Sequence, residues 1–162
     1  MIAGTLAFAT TCIVPLVTTD PAAFTNRGYI WQASHAAWAQ HPFVGNGSDW
    51  FSIVGSSSAS LGPTVFHAHN QFLQLLVTGG VVLALLVGLL VATAVGAAGR
   101  LAARGHLVGA GYLAAFAGTC LLEVSLVIVD NSLVFPVAVL PLLFILFTAD
   151  LHEPAVANVI AS

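Results

Sequence analysis

Lysine is missing from this chain, and arginine occurs three times, at Arg27, Arg100 and Arg104. No basic patch can be built from so few cations, so binding to nucleic acid as a function is excluded. Charged residues of either sign make up 6% of the 162 residues, against about 25% in soluble domains. A water-facing globular surface cannot be coated from that supply. Cysteine is nearly absent too: Cys12 and Cys120 both sit in apolar segments. They read as small buried hydrophobes rather than a disulfide or metal pair. There is no internal repeat, and low complexity is limited to the short Ser-Ser-Ser-Ala-Ser tract at 56–60.

What the chain has in excess is apolar surface. It is 59% hydrophobic with a mean hydropathy of +1.01, which points to a lipid bilayer as its solvent. Four apolar runs stand out: Ile2–Val17, Phe72–Ala98, Leu107–Val129 and Leu133–Ala149. A spanning helix needs about 20 apolar residues. The second and third runs meet that length. The first and fourth are borderline, and Pro15, Pro136 and Pro141 are positioned to kink or end them. Ile2–Val17 lacks the basic flank of a signal peptide, which favours a span. The expected fold class is therefore all-α, an integral membrane bundle of about four transmembrane helices.

Arg100 and Arg104 flank the link between the second and third runs, so the positive-inside rule makes that link cytoplasmic. The single membrane domain, 1–162, then divides as follows: 2–17 in the membrane, 18–70 outside, 71–98 in the membrane, 99–106 inside, 107–129 and 133–149 in the membrane, and 150–162 inside. Asp130-Asn131-Ser132 forms an outer turn.

Polar chemistry collects in the outer segment, which holds Arg27, all three tryptophans and four of the six histidines. Thr25 or Asn26 can cap a helix running to about Gln40. On it Trp31 and Trp38 share a face with Arg27 and Ser34, as in an interfacial helix with indoles at headgroup depth. His41-Pro42 ends it. Gly45-Asn46-Gly47 reads as a turn, Ser48 or Asp49 starts another helical turn, and Gly62-Pro63 is a further break. The chain re-enters the membrane at Phe66-His67-Ala68-His69-Asn70-Gln71-Phe72. Beyond it Asn70, Gln74 and Thr78 form a polar stripe bordered by Gln71, facing protein or a watery cavity. Glu123 falls inside the third run, about 10 Å deeper than Asp130, and should face the bundle.

Several of these residues recur in order: Arg27 and Trp31; then Pro42, Gly45, Gly47 and Phe51; then His69, Asn70, Leu73 and Gly80. This ordered set, with a membrane run on each side, resembles the C-terminal core of the O-antigen ligase and polymerase superfamily over about residues 19–95. Where such members carry an acidic residue before the glycine, this chain reads Thr78-Gly79-Gly80. The resemblance implies a polytopic glycosyltransferase of the bacterial cytoplasmic (inner) membrane, here as part of a larger family fold. Its donor would be a glycan on an undecaprenyl-diphosphate carrier and its acceptor a hydroxyl on a glycan or lipid. No cofactor or nucleotide is required, because the glycan's bond to the carrier diphosphate holds the energy.

Such a transfer needs a base for the acceptor and positive charge for the leaving diphosphate. Imidazole accepts a proton near neutral pH, which suits His69 to the first task. A guanidinium fork matches phosphate oxygens, which suits Arg27 to the second. Asn70, Gln74, Trp31 and His67 are the expected substrate contacts. A His67–His69 metal pair is conceivable on an extended segment, but no third ligand stands at a usual spacing, so no metal is expected. Each residue also has a plain alternative: Arg27 snorkelling to headgroups, His69 capping a helix, the tryptophans anchoring the interface, and the polar stripe joining helices. Two other functions fit the composition. One is a transporter or channel subunit using Glu123 and the polar stripe. The other is a non-catalytic partial member that needs a partner chain.

Overall fold

The computed structural model describes residues 2–57, 67–126 and 134–151. The Gly62-Pro63 break, the Asp130–Ser132 turn and the tail from 152 lie outside the described residues. The described residues are all-helical, with helices α1 (Ile2–Val17), α2 (Ala23–Gln40), α3 (Trp50–Ser57), α4 (Gln71–Ala103), α5 (Val108–Leu122) and α6 (Val134–Leu151). The apolar runs became α1, α4, α5 and α6. Cys12 and Cys120 are free.

α4 is the axis of the molecule. It packs against α5, α6 and α2, while α1 lies on α5. Its second half carries Ala94, Ala97, Ala98 and Leu101, all buried. These small side chains let α6 approach closely through Leu142, Ile145 and Ala149, the packing that apolar surroundings favour when hydrophobic burial supplies no drive. The Tyr112 hydroxyl adds a 2.6 Å bond to the Ala138 carbonyl. The opposite faces of α4 and α6 expose Val82, Leu85, Leu86 and Leu89, and Leu140, Phe144 and Phe147. Contiguous apolar surface of this kind is rare on soluble monomers.

α4 is broken at Gly80, where φ is +65° and ψ −163°. Side-chain-bearing residues avoid that conformation. The break frees backbone groups on both sides, and the 42–47 loop takes them up. Asn46 and Gly47 donate their N–H groups to the carbonyls of Val77 and Thr78, at 2.7 and 3.1 Å. Val81 and Val82 donate to the carbonyls of Pro42 and Phe43, at 2.9 and 3.2 Å. Gly45, at φ +70°, comes so close that a Cβ there would sit 2.6 Å from the Gly79 nitrogen. The Asn46 carboxamide bonds the Ala37 carbonyl at 3.0 Å, so the same loop also grips α2. The glycines of the loop and of the apolar run are thus two halves of one joint. The segment Val81–Ala103 beyond the joint is about 35 Å long. That suffices for a hydrocarbon core of about 30 Å, and the whole of α4 is the helix long and apolar enough to cross a membrane among the described residues.

Two expectations are corrected. α5 ends at Leu122, and Glu123 is extended (φ −143°, ψ 163°), so the helix does not run on to Val129. Glu123 therefore lies just beyond the end of α5, with its side chain half exposed. The reason is on α4: the Gln71 carboxamide oxygen accepts the N–H groups of Ser125 and Leu126, at 2.8 and 2.7 Å. A side chain that satisfies two backbone donors removes the need for helix there. Likewise Thr25 and Asn26 do not cap α2. They lie with Phe24 in three consecutive left-handed conformations, after which regular helix begins at Arg27.

Candidate functional site

The site forms where three segments meet: the start of regular helix in α2, the turn before α4, and the extended segment after α5. The turn before α4 is held from every side. Ala68 donates its N–H to the Gln74 carboxamide oxygen at 3.0 Å, and its carbonyl accepts Trp31 Nε1 at 3.1 Å. Asn70 caps α4, its Oδ1 accepting the Leu73 N–H at 2.9 Å. Its Nδ2 bonds the carbonyls of Thr11 in α1 and Leu121 in α5, each at 3.0 Å. One carboxamide therefore ties three helices together. His69 stands between these two anchored residues with φ at +50°, in the left-handed region.

That ring meets Glu123. His69 Nδ1 lies 3.5 Å from Oε2 of Glu123, and Arg27 Nη2 lies 2.8 Å from Oε1 of the same carboxylate. The Arg27 contact is a charge-assisted hydrogen bond. Nδ1 of His69 is buried and makes no hydrogen bond. His67 lies beside His69, with ring centroids 4.1 Å apart, and its Nδ1 accepts the His69 backbone N–H at 3.2 Å. The ligand atoms of His67, His69 and Glu123 fall within 4.8 Å of one another. Such a trio has the donor types of a metal site. Arg27 already holds Oε1 of that carboxylate, so a cation there would share Glu123 with the guanidinium.

Arg27, His67 and His69, singled out from the sequence, come together. Asn70, Gln74 and Trp31 take another place. All three are buried, with Trp31 and Asn70 at 0% exposure, and the polar atoms just named are spent on backbone groups. Their bonds hold the turn that carries His69. Trp31 is also no interfacial anchor: it packs in a core with Phe51, Leu73 and Val77. The polar stripe is internal as well, since Thr78 bonds the Gln74 carbonyl and Gln74 bonds Ala68.

Sequence reasoning missed Gln71, whose capture of two backbone N–H groups delivers Glu123. It also set Glu123 within a helix, where the backbone is extended. One signal was available: a Gly-Gly pair inside an apolar run marks a break. A Glu near the outer end of a run, opposite a lone outer Arg, was the other.

Helical described residues, a membrane-length helix, and Arg27, His67, His69 and Glu123 gathered near the start of that helix are features of a membrane-protein class with an interfacial site. Comparison with protein families matches residues 2–88, just over half of the chain, to O-antigen ligase. The chain belongs to the O-antigen ligase family. Neither the curated proteins nor the solved structures yield a match.

Proposed function

We propose that the chain takes part in glycan transfer from an undecaprenyl-diphosphate carrier to an acceptor hydroxyl at the outer face of the bacterial cytoplasmic membrane. α1, α4, α5 and α6 act as spans, with Arg100 and Arg104 inside and Arg27 and His69 outside. α5, at 15 residues, is shorter than a bilayer core. The extended 123–126 segment continues it, and non-helical backbone at that depth is supported by the Gln71 bonds. The exposed apolar faces of α4 and α6 then meet lipid.

His69 takes the proton from the acceptor hydroxyl as its oxygen attacks the anomeric carbon. The bond from that carbon to the carrier's phosphate oxygen breaks, and the prenyl diphosphate leaves with the electron pair. Arg27 stabilises the charge that develops on it. Glu123 steadies the Nδ1 side of His69, leaving Nε2 for the acceptor proton. Asn70, Gln74 and Trp31 contribute by holding the turn that carries His69.

One observation carries this reading: Arg27 and His69, far apart along the chain, converge on a single carboxylate. The transporter alternative drew on Glu123 as a pathway residue; its pairing with Arg27 beside His69 favours the transfer reading instead. The test is transfer of lipid-linked glycan by the intact protein in proteoliposomes. His69→Ala should lower the rate by about 10²–10⁴-fold, the usual worth of a placed general base, and Arg27→Ala should also lower it by orders of magnitude. Full transfer by either variant, at normal expression, removes that residue from the mechanism.

A further inference from the structure

Arg27 and His69 do not share Glu123 equally. The guanidinium holds Oε1 at 2.8 Å, while Nδ1 of His69 stands 3.5 Å from Oε2 and makes no hydrogen bond although it is buried. A buried polar atom left unpaired beside a carboxylate is an unfinished contact. If Arg27 binds the donor diphosphate, it cannot keep its full grip on Glu123. We infer that Glu123 serves the two residues in turn: it parks Arg27 in the empty site, and when a prenyl diphosphate draws Arg27 away, it closes on Nδ1 of His69.

This rests on the reading of Arg27 as the diphosphate ligand and adds to it an order of events. Three observations support the exchange. First, the Arg27 and Glu123 side chains are 25% and 52% exposed, so solvent screens their pair and it is weak. A diphosphate offers more negative charge and more acceptor oxygens than one carboxylate, so it wins the guanidinium. Second, the backbone that carries Glu123 is held in place beside His69. Its N–H is bonded to the Thr119 carbonyl, and Gln71 pins the next residues at Ser125 and Leu126. Third, Arg27 directly follows the left-handed turn of Phe24, Thr25 and Asn26, with φ of 53°, 63° and 67°. Side-chain-bearing residues are strained there. Strain of this kind next to a binding residue is a place where a small movement relieves rather than stores energy. His69 is then steadied for proton removal only once a donor is bound.

The exchange predicts a result that a structural ion pair would not give. Removing the Glu123 carboxylate frees Arg27, so diphosphate binding should tighten. The probe is farnesyl diphosphate, titrated calorimetrically into the full chain in detergent micelles. Glu123→Gln should bind it about two- to fivefold more tightly than the natural protein, the worth of an exposed ion pair. Glu123→Ala, which leaves no carboxamide for Arg27, should gain at least as much. In the Arg27→Ala background the same changes should gain less, and the difference between the two gains measures the exchange. Both replacements fall on a half-exposed side chain at a helix end, so the packing is untouched. Equal gains in both backgrounds, or no gain in either Glu123 variant, overturn the exchange and leave the diphosphate reading standing. Unchanged affinity in Arg27→Ala alone overturns both.

Discussion

Replacing Gly80 by alanine tests the joint on which the site depends. The new Cβ would fall on the carbonyl group of Phe43, and the backbone there is in a conformation essentially reserved for glycine, at a cost of about 1–3 kcal/mol. Relief requires the 42–47 loop to move out. That breaks the bonds from Val81 to Pro42 and from Val82 to Phe43, each worth about 0.5–1.5 kcal/mol net. The combined destabilisation is then about 2–6 kcal/mol. At roughly 2–4 °C per kcal/mol for chains of this size, the melting temperature in detergent should fall by about 5–20 °C. Gly88→Ala is the matched control: it lies on the same helix, with nothing within 4 Å of its new Cβ. It should be neutral or gain up to about 1 kcal/mol from helix propensity. Glycan transfer should fall in Gly80→Ala as well, because the displaced loop also grips α2, which carries Arg27. The measurement is thermal unfolding followed by tryptophan fluorescence, side by side for the two variants. Equal melting temperatures for Gly80→Ala and Gly88→Ala would refute the joint.

Two further outcomes follow from the turn that holds His69. Asn70→Ala removes the cap of α4, worth about 1 kcal/mol, and the bonds to Thr11 and Leu121; a loss of about 2–4 kcal/mol is expected, read as a lower melting temperature with α1 more accessible to protease. Gln71→Leu keeps the apolar volume but releases the N–H groups of Ser125 and Leu126. Glycan transfer should fall several-fold or more through misplacement of Glu123, while farnesyl diphosphate binding, which depends on Arg27, is retained.

The sequence was informative where one local rule acts alone. Ile2–Val17 carries an apolar run that became α1 with the same ends, because residue type and length suffice for a helix in an apolar setting. His69-Asn70 stood out because a polar pair at the mouth of an apolar run needs a reason. The same logic misled at Glu123: hydropathy continues through the run to Val129, while Gln71, which holds the backbone after α5, lies on another helix.

Composition, then, determined the apolar exterior of the described helices, since so few charges are available to cover them. The ordered Arg, Gly and His-Asn positions determined the family. Only the tertiary structure decided that the glycines of the 42–47 loop fit the break at Gly80, that Asn70, Gln74 and Trp31 are buried around the turn before α4, and that Glu123 stands between Arg27 and His69. Those outcomes depend on which backbone groups are left without partners after the helices pack. Segments distant in sequence supply the partners, and no window of neighbouring residues contains that information.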